Sequence, residues 1–159
     1  MARWLWLSAL VVLLDQATKW LAEGMLDPYR PVPLMPLLNF TLMYNEGAAF
    51  SFLSNAGGWQ RWLFAGFSLV MSVVLVVWLL RLGSRERLMA AALSLVTGGA
   101  VGNLIDRIHT GRVVDFIDVY VGNWHWPAFN VADSAITLGV VLLLLSSLRG
   151  VQGKQDSIP

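Results

Sequence analysis

The sequence has no cysteine and very little charge. Without cysteine, the chain has no thiol nucleophile, no disulfide and no thiolate metal site. Only 13% of its 159 residues are charged, whereas a soluble domain carries about 25% and needs them to cover its surface. The net charge of +1 also lacks the basic excess that nucleic-acid binding requires. These absences exclude thiol chemistry, argue against a nucleic-acid-binding protein and favour an integral membrane protein.

The chain contains long apolar runs, and 57% of its residues are hydrophobic. Four runs approach the ~20 residues needed to cross a bilayer, and they cover residues 4–22, 62–80, 88–105 and 130–148. The first run continues as a helix without a small-x-small cleavage site, so we expect an uncleaved span. We predict one membrane domain over residues 1–150 and a disordered cytoplasmic tail over residues 151–159.

The connection between the first two runs predicts structure of another kind. Prolines at 28, 31, 33 and 36 are incompatible with a helix there. Residues 38–44 then alternate between apolar and polar with period two, which is typical of a strand. The predicted fold class is therefore an all-α integral membrane protein, with four transmembrane helices and a small β-containing extracytoplasmic lid.

The distribution of arginine predicts the orientation. The short loop at 81–87 carries three arginines, and positively charged short loops stay in the cytoplasm. An even number of spans then places both termini in the cytoplasm as well. This topology gathers four aspartates at the outer membrane boundary: Asp15, Asp106, Asp115 and Asp133.

Asp115 and Asp133 are the leading candidates for catalysis. Both lie near the ends of apolar runs with almost no other charge, and intramembrane carboxylates are functional-site candidates by default. Two carboxylates sharing a site hold one proton between them near neutrality, which suits paired acid and base chemistry. Asp133 has an alternative interpretation: if Asn130 caps the last helix, Asp133 is the third helical residue and completes a capping box. Local spacing leaves both interpretations open.

The remaining polar residues also allow two interpretations. Asn103 and Arg107 are four residues apart and share a helix face, where they can hold a polar site together. Alternatively, Gly98 and Gly102 serve helix packing while Asp106 and Arg107 anchor the helix at the interface. Asp15 and Lys19 have ion-pair spacing and predict a structural tie beneath the site.

Five segments together resemble the lipoprotein signal peptidases, also called signal peptidase II, which are bacterial membrane aspartyl peptidases. They occur in the same order as in the family, over roughly residues 15–139. A single short motif would not establish the resemblance. The matching segments are Asp15-Gln16-x-x-Lys19, Asn45-x-Gly47-Ala48-Ala49-Phe50, Gly98-Gly99-x-x-Gly102-Asn103-x-x-Asp106-Arg107, Val113-Val114-Asp115-Phe116 and Phe129-Asn130-x-Ala132-Asp133.

The resemblance implies that Asp115 and Asp133 are the catalytic dyad. It implies further that the site is lined or braced by Asn45, Gly47, Asn103, Arg107 and Asn130, with Asp15, Lys19 and Asp106 in support. The implied enzyme needs no metal or cofactor and cleaves diacylglyceryl-modified prolipoproteins just before the lipidated cysteine. The implied partners are these substrates, membrane lipids and globomycin-type inhibitors. We expect a monomer in the bacterial inner membrane, with its active site at the extracytoplasmic face.

Two other classes compete with this prediction. A small proton-coupled transporter also uses intramembrane carboxylates, but it needs polar residues along the depth of the helices. The second run has no charged residue, and the ionisable residues stop at one face. A non-enzymatic assembly subunit leaves Asp115 and Asp133 unexplained.

Overall fold

The protein is built around four long α-helices in the part of the chain that the structure, a computed structural model, describes, which is residues 1–46 and 58–155. All four are long and apolar enough to cross a membrane, and a short 3-10 turn precedes the first. The predicted fold class is confirmed. The helices are α1 (Leu5–Met25), α2 (Gln60–Arg81), α3 (Arg87–His109) and α4 (Val131–Gln155).

Helix α4 continues past residue 150, where the sequence analysis places the start of a disordered tail. Its backbone stays helical to Gln155, since no proline occurs before Pro159 and isolated glycines are tolerated within helices. The apolar part that can span a membrane ends at Leu148. Residues 156–159 lie outside the described part, so the division into domain and tail stays a prediction.

Helix α3 is the centre of the bundle and packs against each of the other three helices. Its glycines allow this because lipid provides no hydrophobic force between helices, and small residues let the backbones approach closely. A Cβ on Gly98 would lie 2.7 Å from the Val11 Cβ of α1, and one on Gly99 would meet the Ala132 carbonyl of α4. A Cβ on Gly102 would lie 2.6 Å from the Asp15 carboxylate. Helices α1 and α4 therefore both pack directly against glycines of α3.

A four-stranded antiparallel sheet is inserted into the α1–α2 and α3–α4 connections, with strand order β1-β2-β3-β4. The strand predicted over residues 38–44 is confirmed as β2. Pro33 lies in β1, an edge strand where a missing backbone donor is tolerated. The strands are β1 (Val32–Met35), β2 (Leu38–Asn45), β3 (Val113–Val121) and β4 (Trp124–His125).

The sheet covers the end of the bundle where α1 and α3 finish and α2 and α4 begin. An apolar cluster joins it to α1 through Ala22, Leu42, Val114 and Phe116. A register shift in β2 between Phe40 and Met43 then pairs Met43 with Asp115, and such irregularities re-aim the side chains that follow. The sheet thereby brings β2 and β3 over the polar end of the helices.

Candidate active site

Asp115 and Asp133 line one pocket of about 810 Å³ at the junction of sheet and helices. Asp115 comes from β3 and is buried, while Asp133 lies in the first turn of α4. The predicted residues Asn45, Asn103 and Arg107 line the same pocket. Five residues from four different elements therefore converge on one site.

Amide groups hold the Asp115 carboxylate from both sides. The Asn130 amide donates from Nδ2 to Asp115 Oδ1 at 2.7 Å, and the Asn45 amide donates from Nδ2 to Asp115 Oδ2 at 3.3 Å. Both oxygens thus have a donor, and the contact from Asn45 is the longer of the two. Asn130 is fully buried, so its contact cannot be exchanged for bulk water.

Asp133 takes part in a capping box at the start of α4. Asn130 Oδ1 accepts the Asp133 N–H at 2.9 Å, and Asp133 Oδ2 accepts the Asn130 N–H at 3.3 Å. Asp133 Oδ1 also accepts a hydrogen bond from Asn103 Nδ2 at 2.8 Å, while the residue faces the pocket. The capping interpretation of Asp133 is correct, and it does not exclude a role in the pocket.

The orientation of the two bridging amides follows from their partners. Lys19 Nζ can only donate, and it lies 2.9 Å from Asn103 Oδ1, so the Asn103 NH₂ group must point at Asp133. Asn130 Oδ1 is occupied by the Asp133 N–H, so its NH₂ group must point at Asp115. Each carboxylate therefore faces at least one side-chain amide that cannot turn into an acceptor without breaking another bond, Asn130 for Asp115 and Asn103 for Asp133.

Lys19 is the centre of a buried ionic cluster behind the pocket. Its ammonium lies 2.8 Å from the carboxylates of both Asp15 and Asp106, and with Asn103 it has three acceptors for three donors. The predicted Asp15–Lys19 pair is present, but the second carboxylate, Asp106 of α3, was not predicted as its partner. Gln16 links the same groups by donating to Asp106 Oδ1 at 2.8 Å and to Asp15 Oδ2 at 3.2 Å.

This cluster also fixes the backbone around the site. Asp15 Oδ1 accepts the Ala132 N–H at 2.9 Å, which is one of the free donors at the start of α4. Asp106 Oδ2 accepts the Val114 N–H at 3.2 Å from β3. The two carboxylates on Lys19 therefore position the segments that carry Asp133 and Asp115.

Arg107 supplies the pocket with a positive charge. Its guanidinium lies 5.6 Å from the centroid of the Phe64 ring, and Nη1 donates to the Asn103 carbonyl at 3.3 Å. The end of its helix is capped by Arg61, which donates to the carbonyls of Arg107 at 2.7 Å and Ile108 at 2.5 Å. Arg107 thus belongs to the pocket as well as to the helix end.

The environment of Asp115 keeps both of its protonation states populated near neutrality. Burial and, to a smaller extent, the charge of Asp133 raise the pKa of the Asp115 carboxyl to about 7. The hydrogen bond from Asn45, the charge of Lys19 and the hydrogen bond from Asn130 act in the opposite direction. A carboxyl with a pKa near 7 exchanges protons readily at physiological pH.

The rest of the pocket is mostly apolar and follows α4 away from the sheet. Its walls include Ile136, Leu138 and Val141. Leu138 and Val141 are about half exposed on the bundle surface, which faces hydrocarbon in a membrane. The pocket therefore contains two carboxylates and has an apolar side along α4 that faces the membrane.

Gly47, which the sequence analysis predicts at the site, lies outside the described residues. Gln16 occurs in one of the matching segments but was given no role at the site, although its position next to Asp15 was a usable signal. Sequence reasoning also gave no role to Asp118 and His125, which form a second polar group in the sheet.

Comparisons with known proteins agree with this architecture. A family model described as signal peptidase (SPase) II matches residues 7–149. A lipoprotein signal peptidase of Pseudomonas putida is 57% identical over 148 residues, which are 92% of this chain and 86% of the relative. One from Acinetobacter baylyi is 53% identical over 144 residues, covering 91% of this chain and 80% of the relative.

Two solved structures share the fold, and both are described as bacterial membrane enzymes solved by the in meso method. The 2.3 Å structure superposes with a TM-score of 0.88 at 31% identity and covers all of this chain and 95% of the other. The 1.9 Å structure has a TM-score of 0.80 at 33% identity, covering 93% and 94%.

Proposed function

The chain belongs to the signal peptidase II family, and from that premise we propose that it is an aspartyl endopeptidase acting on diacylglyceryl-modified prolipoproteins. It removes the signal peptide by cutting just before the lipidated cysteine. Asp115 and Asp133 form the catalytic dyad, and no metal takes part. The observation that carries the proposal is the meeting of a buried carboxylate, Asp115, and a partly buried one, Asp133, in a pocket that extends along the apolar side of α4.

The dyad acts as one titrating unit that holds a single proton. The ionised carboxylate takes a proton from water, and the water oxygen attacks the scissile carbonyl carbon. The protonated carboxyl transfers its proton to the carbonyl oxygen, which gives a neutral tetrahedral intermediate. When the intermediate collapses, the carboxyl that took the proton from water gives it to the leaving amine of the cysteine and the C–N bond breaks. The other carboxylate takes a proton from a hydroxyl of the intermediate, so the dyad again holds one proton.

The surrounding residues keep this unit in place. Asn130 and Asn103 each hold one oxygen of a carboxylate, at 2.7 and 2.8 Å. The other two oxygens have longer contacts of 3.3 Å, from the Asn45 amide and the Asn130 N–H, so we place the reacting atoms beside them. Arg107 and Asn45 contact the substrate backbone from the pocket wall. Asp15, Lys19 and Asp106 act through the segments that they position.

The membrane placement follows the distribution of charge. We place the protein in the bacterial inner membrane with both termini and the α2–α3 loop in the cytoplasm, because that loop carries Arg81, Arg85 and Arg87. The dyad then lies at the extracytoplasmic face. The substrate keeps its acyl chains in the bilayer while its peptide crosses the carboxylates.

The described residues do not favour a proton path. The core at the other end of the bundle is the apolar cluster of Leu75, Leu79, Ala90 and Leu93. Between that cluster and Asp15, the described part of the chain has buried serine and threonine but no buried ionisable group. A transporter would need such groups through the full depth.

Cleavage by purified protein tests the proposed function directly. We expect a diacylglyceryl-modified prolipoprotein to be cut with cysteine at the new N-terminus, as read by mass spectrometry. The same precursor without its diacylglyceryl group should be cut at least tenfold more slowly, since its lipid contacts are missing, and a chelator should leave the rate unchanged. Equal cleavage of both precursors, or loss of activity with the chelator, would contradict the proposal.

The dependence of kcat/KM on pH reports whether the dyad holds its shared proton. The pKa of Asp115 is raised to about 7, so Asp115 gives up the shared proton as the pH rises. We expect kcat/KM to fall about tenfold per pH unit above that point. Asn45→Leu removes a hydrogen bond that lowers this pKa, so the alkaline limb should move to higher pH. A limb that stays in place or moves to lower pH would show that another group controls it.

A further inference from the structure

A second cavity of about 460 Å³ lies beside the active-site pocket. The two cavities share four wall residues, Met43, Trp126, Pro127 and Ala128. No residue that lines the second cavity belongs to a membrane-spanning helix. It therefore adjoins the pocket of the dyad on the side of the sheet, away from the spanning helices.

The shared wall is held firmly by the sheet. The Trp126 N–H donates to the Val119 carbonyl at 2.8 Å, and Phe129 exchanges backbone hydrogen bonds with Ile117 at 2.9 and 3.1 Å. Pro127 and Ala128 lie between these two fixed points. The boundary between the cavities is thus a short segment anchored at both ends.

A buried carboxylate orients one side chain of the second cavity. Asp118 is 4% exposed, and its Oδ2 accepts hydrogen bonds from Asn39 at 3.2 Å and Thr41 at 3.0 Å. Its Oδ1 lies 2.7 Å from His125 Nδ1. Burial alone would raise the pKa of Asp118, but the hydrogen bonds from His125, Asn39 and Thr41 outweigh it and lower the pKa.

The tautomer of His125 follows from this environment. An ionised carboxylate only accepts, so Nδ1 carries the hydrogen, and in the tautomer with hydrogen on Nδ1 alone Nε2 is an acceptor. The imidazole side chain is 49% exposed and stacks on Tyr120 at 5.5 Å. His125 therefore presents a fixed acceptor at the edge of the second cavity.

We propose that the second cavity binds the start of the mature chain, in extended form, and that His125 accepts a backbone N–H from it. This inference rests on the proposed function. The signal peptide and the acyl chains of such a substrate both lie in the bilayer, so only the chain after the cysteine leaves the dyad on the aqueous side. The second cavity adjoins the pocket of the dyad and is lined only by residues outside the spans, so it fits that segment.

The test combines one substitution with one change of substrate. Two diacylglyceryl-modified substrates share a signal peptide, and one stops directly after the cysteine while the other continues for ten residues. With the wild type, the longer substrate should have a KM about threefold to tenfold lower, as expected for a net hydrogen bond or two. His125→Leu should remove most of that difference and leave kcat within twofold.

The control is His109→Leu, which makes the same chemical change at an exposed position at the end of α3, and it should preserve the difference. If His125→Leu changes KM equally for both substrates, or if the wild type does not distinguish them, the inference is wrong while the proposed function stands. His125→Asn supplies a second variant, because its amide can still donate to Asp118 but offers no acceptor at the Nε2 position. It should behave as His125→Leu does.

A crosslinking measurement separates this inference from the cleavage activity. The longer substrate carries a photoreactive residue at the third mature position and is bound to the Asp115→Asn variant. We expect crosslinks within residues 118–128. Crosslinks confined to residues 136–141 of α4 would overturn the inference whether or not the wild type cleaves.

Discussion

Asp115→Asn should lower kcat by about 10³-fold, within the range that acid–base catalysis contributes. The introduced amide can neither take a proton from water nor deliver one to the carbonyl oxygen. The fold should tolerate the change, because burial and the charge of Asp133 already disfavour the ionised carboxylate. At pH 8 the variant should therefore unfold at the same temperature as the wild type or a higher one.

Asp133→Asn should cause a similar loss of kcat but a different change in stability. Both oxygens of Asp133 accept from donors that cannot turn round, which are Asn103 Nδ2 and the Asn130 backbone N–H. An amide NH₂ group must then face one of these donors, at a penalty of roughly 1–3 kcal/mol. The paired measurements are kcat with a saturating lipidated substrate and the thermal midpoint in detergent.

Asp27→Asn is the matched control, since this exposed aspartate pairs with Arg30 at the surface, at 3.3 Å. It should leave both quantities unchanged. Activity above a tenth of wild type in either dyad variant would contradict the assignment of the dyad. Equal stability losses in the two dyad variants would contradict the account of fixed donors around Asp133.

Contacts set by local spacing were predictable from the sequence. The Asp15–Lys19 pair depends only on the helical repeat, and the Asn130–Asp133 capping box depends only on three-residue spacing at a helix start. The alternation over residues 38–44 was enough to predict β2. In each case the partners lie within a few residues of each other, so no packing information was needed.

Contacts between distant elements were not predictable in this way. Asp106 reaches Lys19 only because the glycines of α3 allow α1 to approach at one particular register. Asn45 reaches Asp115 because of the register shift in β2, which no periodicity reveals. The Asp118–His125 pair also depends on strand register, although the turn at Gly122-Asn123 was a usable hairpin signal.

Lys19→Met should produce the largest loss of stability. The substitution leaves the carboxylates of Asp15 and Asp106, 0% and 7% exposed, without their shared cation. Breaking a buried ion pair by removing one partner costs about 3–5 kcal/mol. We expect a clear fall in the thermal midpoint of unfolding. It is measured by the tryptophan fluorescence of the detergent-solubilised protein.

Arg30→Met provides the comparison for this loss, because the Arg30–Asp27 pair is 80% and 73% exposed and exposed pairs contribute about 0–1 kcal/mol.

Lys19→Met combined with Asp106→Asn should recover part of the stability, since one of the two uncompensated charges is removed. Recovery should not extend to kcat, because Asn103 still lacks the cation that orients its amide toward Asp133. A Lys19→Met loss as small as that of Arg30→Met would mean that the cluster does not hold the helices together. Full activity in the double variant would mean that the dyad does not depend on the Asn103 orientation.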